Sequence, residues 1–428
     1  MDQTVESRLV TFAAVWVAMT VSLACEASIL EGELQTPSSM AALLSKAHPI
    51  TIELGVEYSH PSIPTISNVV VENPSTSTVV TPRLGSVENN YPDTLAQTLR
   101  VQMLLDPENR FTVAAKTFLP LDGLAQMDTG NIYQPELALY RAESQRPRVL
   151  LTSGMNLSPR FRVGIGLDIG FSVDSVATIF LQSGAGTVSD QRVSAKVKPS
   201  LIPQASIAFD SYSLTYRGEN KASFDLSTQA GARIFSSTSA GVDFKYTTNS
   251  ALFFEPMSFE FEGKQEVTRL FTLHYGASYE FWSRYHSRAA VIQGAIPVNC
   301  NNNAGCNSTF SSGVSPQFTA RDLLVPEGAL DFAWGDDSVQ LGYRFKDSIF
   351  SDVPKGVGNY LDPPRHDFRL AYTHPTAGGW EWRIHAGVSR LVAQNVVKSD
   401  PNSIGGPSYQ VSGWLYGGGL SVAIPFKN

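Results

Sequence analysis

Apolar and polar residues alternate with period 2 along most of the chain. The clearest run is Phe161 to Val173. Phe161, Val163, Ile165, Leu167, Ile169, Phe171 and Val173 share one face; Arg162, Gly164, Gly166, Asp168, Gly170 and Ser172 share the other. Ile50 to Tyr58, Phe271 to Phe281, Trp380 to Val388 and Tyr416 to Phe426 repeat the pattern. Weaker runs fill the gaps, and a helical period is present only over Ser39 to Ala47. The predicted class is all-β.

Soluble sheets also alternate, so the polar face decides between water and membrane. Here it is rich in glycine and in charges of both signs, such as Arg162 with Asp168 and Glu381 with Arg383. A barrel lumen accepts such residues, because opposite walls pair across it and water enters. Arg162, Asp168, His274, Arg383 and His385 are therefore candidate lumen-facing polar residues. The apolar face carries Tyr58, Phe281, Trp282, Trp334, Trp380, Trp382, Trp414 and Tyr416 near strand ends. Girdles of this kind mark the two interfaces of a transmembrane antiparallel β-barrel. Spread over about 14 strands, residues 50–428 give roughly 27 residues per strand and connection, as such a barrel needs. The longest polar loops are expected at Asn73–Asp93, Pro120–Arg146, Gly184–Gln191, Pro297–Gln317 and Ser348–Pro364.

Composition narrows the function classes. A formal net charge of −7 offers no basic face for nucleic acid. Charged residues at 17% and hydrophobic ones at 43% exclude a disordered chain. Beyond the first thirty residues no apolar stretch is long enough for a spanning helix. Leu9 to Leu23, followed by Ala24, Cys25, Ala27 and Ser28, reads as a secretory signal peptide over residues 1–27. Cys25 also leaves open a lipid-modified N-terminal cysteine. Export makes a disulfide between Cys300 and Cys306 the expected state of the loop NCNNNAGCN. The rival zinc reading lacks further ligands nearby. No HExxH, GxSxG or GxxxxGK[ST] occurs, and the seven histidines lack metal spacing. The expectation is a protein with no catalytic residues, no metal and no cofactor.

Four passages resemble the FadL/TodX-type outer-membrane transporters of long-chain fatty acids and aromatic hydrocarbons. They are Thr36 to Leu43 running into ITIELGVEYSHPS, PSLIPQASIAF at 199–209, SAGVDFKYTTNSALFFEPMSF at 239–259 and LDPPRHDFRLAYTH at 361–374. Thr36-Pro37-Ser38 stands where the family usually has Asn-Pro-Ala, and Asn249 where it usually has tryptophan. The resemblance implies a barrel of about 14 strands with a short N-terminal hatch inside it. It also implies passive uptake of a hydrophobic small molecule, such as a long-chain fatty acid, by a monomer in the outer membrane of a Gram-negative bacterium. Outer-membrane lipid and lipopolysaccharide would surround it. The hatch falls at residues 28–49, where Met40, Leu43, Leu44 and Ala47 form an apolar face between Pro37 and Pro49. Left in water that face is costly; in the lumen, Pro37, Met40, Leu43 and Leu44 line the floor of a ligand pocket. The competing functions are a general diffusion porin and, from another class, an outer-membrane enzyme or adhesin.

Overall fold

The computed structural model describes residues 50–72, 83–87, 93–106, 110–121, 136–137, 147–182, 190–233, 241–285, 289–297, 307–314, 319–351, 360–398 and 406–426. The signal peptide, the hatch segment with Pro37, Met40, Leu43 and Leu44, and the pair Cys300 and Cys306 lie outside the described residues.

In chain order the strands are β1 (Ile50–Ser62), β2 (Ile66–Glu72), β3 (Arg83–Val87), β4 (Thr94–Leu104), β5 (Phe111–Pro120), β6 (Glu136–Leu137), β7 (Arg148–Asn156), β8 (Phe161–Gln182), β9 (Asp190–Phe209), β10 (Tyr212–Arg217) and β11 (Asn220–Arg233). They continue with β12 (Gly241–Glu255), β13 (Ser258–Glu266), β14 (Phe271–Glu280), β15 (Ala289–Pro297), β16 (Asn307–Val314), β17 (Leu323–Trp334), β18 (Asp337–Lys346), β19 (Tyr360–Leu361), β20 (Arg365–Pro375), β21 (Glu381–Val397) and β22 (Ser408–Phe426). Fourteen of these close a barrel in the order β1, β4, β5, β7, β8, β9, β10, β13, β14, β17, β18, β20, β21, β22. Every neighbouring pair in that wall is antiparallel. The ring shuts where β22 returns to β1, from Ile50 opposite Phe426 to Ser62 opposite Trp414.

The period-2 pattern explains the two faces. On β8, Ile165 is 69% exposed on the outside, whereas Gly164 and Asp168 are buried inside. Many large apolar side chains point outward in the same way, among them Leu201, Ile207, Leu341, Phe368 and Ile384. An apolar surface this extensive belongs in lipid rather than water. Aromatic belts bound it. At the tight-turn end Phe332 meets Phe271 at 4.9 Å and Trp334 at 5.2 Å, and Trp334 stacks on Tyr372. At the other end Phe281 meets Tyr279 at 5.0 Å, and Tyr343 meets Phe368 at 5.3 Å. Phe271 and Phe281 are ten residues apart on one strand path, about 25 Å along the normal of a tilted strand, which fits the apolar band of an outer-membrane barrel. The protein is an outer-membrane β-barrel. Trp282, expected in the outer girdle, is instead buried on the inside. The strand ends at Glu280, and a short 3-10 turn over Trp282–Arg284 swings the indole inward.

The turns at the end that carries Ile50 and Phe426 are short, for example Ser158 to Arg160 and Asp210–Ser211. Gly335 and Asp210 take positive φ angles of 62° and 49° there, as two-residue hairpin turns require. Short turns face the periplasm in such barrels and long connections face outward.

Above the outer end the strand order changes. β10 continues into β11, but β11 leaves β9 and pairs in parallel with β8, from Leu226 opposite Ser175 to Arg233 opposite Gln182. β12, β15 and β16 extend this outer sheet. The expected loop Pro297–Gln317 therefore contains a strand, β16. Its sequence NSTFSSGV lacks alternation because it lies beyond the wall, where no apolar face is required. Likewise β2 and β3 form a hairpin around the expected loop at Asn73. β6 and β19 also pair in parallel. They belong to connections after β5 and after β18, nearly opposite each other in the ring, so the two connections meet across the mouth.

Candidate functional site

Inside the outer half of the barrel lie two apolar clusters. The first forms where β2 folds inward onto β21 and β22. Ile66, Val69 and Val70 of β2, Leu391 and Val396 of β21, and Val411 and Leu415 of β22 are all buried. The Val70 amide donates to the Gly406 carbonyl at 2.9 Å, which ties β2 to the wall. The second cluster contains Phe254, Trp282, Tyr285, Ala320, Leu323, Val325, Ile349 and Phe350. The rings of Phe254, Trp282 and Tyr285 meet at 5.5 to 6.1 Å. Lys346 sits 4.9 Å over the Trp282 ring and bonds Glu280 at 2.6 Å, while Trp282 Nε1 donates to the same carboxylate at 2.5 Å. Just above, Asp362 accepts from the Ile349 amide at 2.8 Å, and burial pushes its carboxyl up to about 6.

Beside these clusters the lumen is charged. Four side chains close a square of ion pairs: Arg148 to Asp168, Arg148 to Glu255 at 3.2 Å, Arg217 to Asp168 at 3.0 Å and Arg217 to Glu255 at 3.0 Å. Arg344 and Arg365 flank the fully buried Asp367 at 3.4 and 3.2 Å. His274 meets Asp331 at 2.7 Å, Gln340 donates to Asp331 at 2.7 Å, and Arg383 donates to Gln340 at 3.4 Å. Arg100 pairs with Glu53 at 3.6 Å. Glu260, Glu262 and Glu327 bring carboxylate oxygens within 4.8 Å of one another, next to the Arg344 side of the wall. Arg344, Arg365, Arg369 and Arg383 thus stand on β18, β20 and β21 around the single buried acid Asp367, and Glu260, Glu262 and Glu327 on β13 and β17.

The ion-pair square lies where the wall parts. Asp168 on β8 and Arg217 on β10 join across the inner face of β9, which runs between them. β10 pairs with β9 only from Tyr212 to Arg217, opposite Phe209 to Gln204. Beyond that, residues 190–203 of β9 pair only with β8 among the described residues. Gly218 donates to the Pro203 carbonyl at the point of departure.

The residues singled out in the sequence are dispersed through this arrangement. Asp168 sits in the square, but its partners are Arg148 and Arg217. Arg162 lies near the periplasmic turn and donates to the Asp210 carbonyl at 3.0 Å. His274 and Arg383 belong to the network through Asp331 and Gln340. His385 packs against Gly419, where an added Cβ would stand 2.7 Å from its ring. Arg344 belongs to the polar face expected from the sequence, but its partner Asp367, the flanking Arg365, and Arg148, Arg217 and Glu255 were not anticipated. The signal available was inward charge on adjacent strands, but strand pairing had to be known to use it.

The barrel fold recurs in solved structures. A FadL homologue of Pseudomonas aeruginosa superposes with a TM-score of 0.55 at 11% identity, covering 94% of this chain and 99% of that one. The chain has the FadL-type barrel fold. The toluene transporter TodX of P. putida gives a TM-score of 0.51 at 11% identity, covering 91% of this chain and 93% of that one. No protein-family model matches the sequence, and no curated relative matches it. At these identities the FadL-type fold is common ground, whereas the side chains that line the lumen are this chain's own.

Proposed function

We propose that this protein passively takes up hydrophobic compounds through the outer membrane, with long-chain fatty acids as the substrate class. The observation that carries the reading is the lining of the outer mouth. Buried apolar clusters there lie side by side with ion pairs, Leu391 opposite Arg365 and Leu323 opposite Glu280, beside a wall where β9 and β10 part. An apolar solute gains about 25 cal/mol per Å2 on leaving water for such a cluster. Passing straight down would mean separating charges in a low-dielectric space, which is costly. A sideways exit past Pro203 avoids that. The names of the two structural relatives, a FadL homologue and a toluene transporter, agree with a hydrophobic solute.

In this reading residues 28–49 serve as the hatch, with Pro37 at its turn and Met40, Leu43 and Leu44 forming the pocket floor. Cys300 and Cys306 pair on an outer loop. The barrel works as a monomer, and transport follows the concentration gradient, so neither a catalytic residue nor a cofactor takes part. Full-length protein in liposomes tests it: uptake of labelled oleate with little steady conductance is expected. Deleting residues 30–47 should raise conductance.

A general diffusion porin is the second reading. The side-by-side basic residues Arg344, Arg365, Arg369 and Arg383 and acidic residues Glu260, Glu262 and Glu327 favour it, because a transverse field suits small ions. Large steady conductance without oleate uptake would decide for the porin.

A further inference from the structure

Three acids from two strands converge on the inner wall. Glu260 and Glu262 are alternate inward residues of β13, and Glu327 is inward on β17. β14 runs between those strands, and its residue at this level is Gly276, opposite Glu262 on one side and Glu327 on the other. With no side chain on Gly276, the two neighbours meet over it. Glu327 Oε1 lies 3.4 Å from the point where a Cβ on Gly276 would stand, so this carboxylate leans toward β13. One oxygen from each of the three acids lies within 4.8 Å of the other two. Every corner of such a triangle is within about 2.8 Å of a common point, close to the roughly 2.3–2.6 Å of a calcium–oxygen bond.

Carboxylates at this spacing repel one another, and a wall with no cation to hold gains by keeping them apart. The basic residues alongside already serve other acids: Arg344 meets Asp367 at 3.4 Å, and Arg217 meets Asp168 and Glu255 at 3.0 Å. Ser213 donates to Glu262 Oε2 at 2.9 Å, which orients that carboxylate. An independent observation comes from β10. Thr215 is directly opposite Glu260 in the ladder, on the same inward face, and is 5% exposed. Its hydroxyl is buried with no hydrogen-bond partner among the described residues. Opposite residues on one face stand about 5 Å apart at Cβ, which puts this oxygen beside the Glu260 side chain. A chain built only for packing avoids the cost of such a hydroxyl with valine.

We propose that Glu260, Glu262, Glu327 and Thr215 form a site for one hard divalent cation, with calcium as the ion that fits. All four donors are oxygens, three of them charged, and water completes the shell. A set with no thiol and no imidazole does not suit zinc. The ion clamps β10, β13 and β17 together across β14, in the stretch of wall that adjoins the parting of β9 and β10. The site goes beyond the uptake reading, since it holds an ion in the wall whatever the barrel carries.

The test is calorimetric titration of calcium chloride into chelator-stripped, detergent-purified full-length protein, together with urea unfolding in calcium and in chelator. Wild type should bind one calcium and unfold at higher urea when calcium is present. Glu327→Gln should weaken calcium binding about tenfold or more, because one ligand loses its charge. In chelator the same variant should be no less stable than wild type, since a repelling charge is gone; a side chain that served only the wall's own hydrogen bonds would destabilise in both conditions. Thr215→Val should weaken calcium binding several-fold and leave the midpoint in chelator unchanged or raised. Glu53→Gln removes a lumenal carboxylate elsewhere in the wall and should leave calcium affinity unchanged. Should Glu327→Gln fail to show the heat-dependent gel shift of a folded barrel, Thr215→Val decides alone. Wild type that binds no calcium overturns the site. So does calcium binding that Glu53→Gln weakens as much as Glu327→Gln, or that both Glu327→Gln and Thr215→Val keep in full.

Discussion

Gly218 donates its backbone N–H to the carbonyl of Pro203 at 2.8 Å, and a Cβ on Gly218 would stand 2.9 Å from the Pro203 ring. This contact is where the second half of a long strand path leaves its neighbour. Only a residue without a side chain lets the backbones come this close. Gly218→Val should destabilise the barrel by about 1–3 kcal/mol, the usual cost of overpacking. Pro203→Ala in the same chain should return part of that loss. Urea unfolding in detergent reads both; additive losses would mean that the two residues do not meet.

The ion-pair square makes a second expectation. Asp168 is 2% exposed, and without Arg217 it must share Arg148 with Glu255, which leaves the square one negative charge in excess. Arg217→Met should cost about 3–5 kcal/mol. Arg217→Met combined with Asp168→Asn should cost less than the sum of the singles. A double-mutant cycle with no coupling would dissolve the square.

How much of this was legible in the sequence follows from what alternation reports. Period 2 states which face a residue takes, because lipid and lumen differ at every step along Phe161 to Gly170. It does not state depth or partner. Arg162 and Asp168 share a face, yet six residues separate them, about 20 Å along the strand. Asp168 therefore pairs with residues on β7 and β10 at its own level. The outer sheet was invisible for a related reason: β16 has no lipid to face, so NSTFSSGV carries no pattern. Trp282 misled because its position after an aromatic run implied the girdle, whereas a single 3-10 turn redirected it. The apolar cluster of Ile66, Val69 and Val70 with Val411 and Leu415 required knowing that β2 folds inward, which a polar-flanked VVV segment does not announce.

Lipid exposure on β8 can be read directly. A cysteine at Ile165 should resist water-borne thiol reagents in membranes and one at Gly166 should react, since they face opposite sides of the wall. Leu167→Arg should cost about 2–4 kcal/mol near the midplane. Equal labelling at the two positions would contradict the register of β8 with β7 and β9.

Asp362 gives a pH dependence with a definite sign. Burial raises its carboxyl from 3.8 to about 6 in the folded barrel. The folded state therefore binds the proton more tightly than the unfolded chain, and this group lowers stability as pH rises from about 4 to 6. Asp362→Asn removes that penalty and keeps an acceptor for the Ile349 amide. The variant should be more stable than wild type at pH 7, on the order of 2–3 kcal/mol, with the gap shrinking toward pH 4. Guanidinium unfolding at both pH values checks it, and a gap that is constant with pH would place the charge elsewhere.

The parallel contact between β8 and β11 also dictates an order of events during biogenesis. A wall grown hairpin by hairpin adds β9 to β8 and then β10 to β9, each strand docking on the one made before it. β11 cannot be recruited that way, since its partner is three places back and points in the same direction. Its pairing closes a loop of non-consecutive strands, the slow kind of contact in folding. The outer sheet is thus a late layer laid over a finished cylinder. Translocated barrels should pass through a stage in which the wall already resists protease and residues 226–233 are still cut.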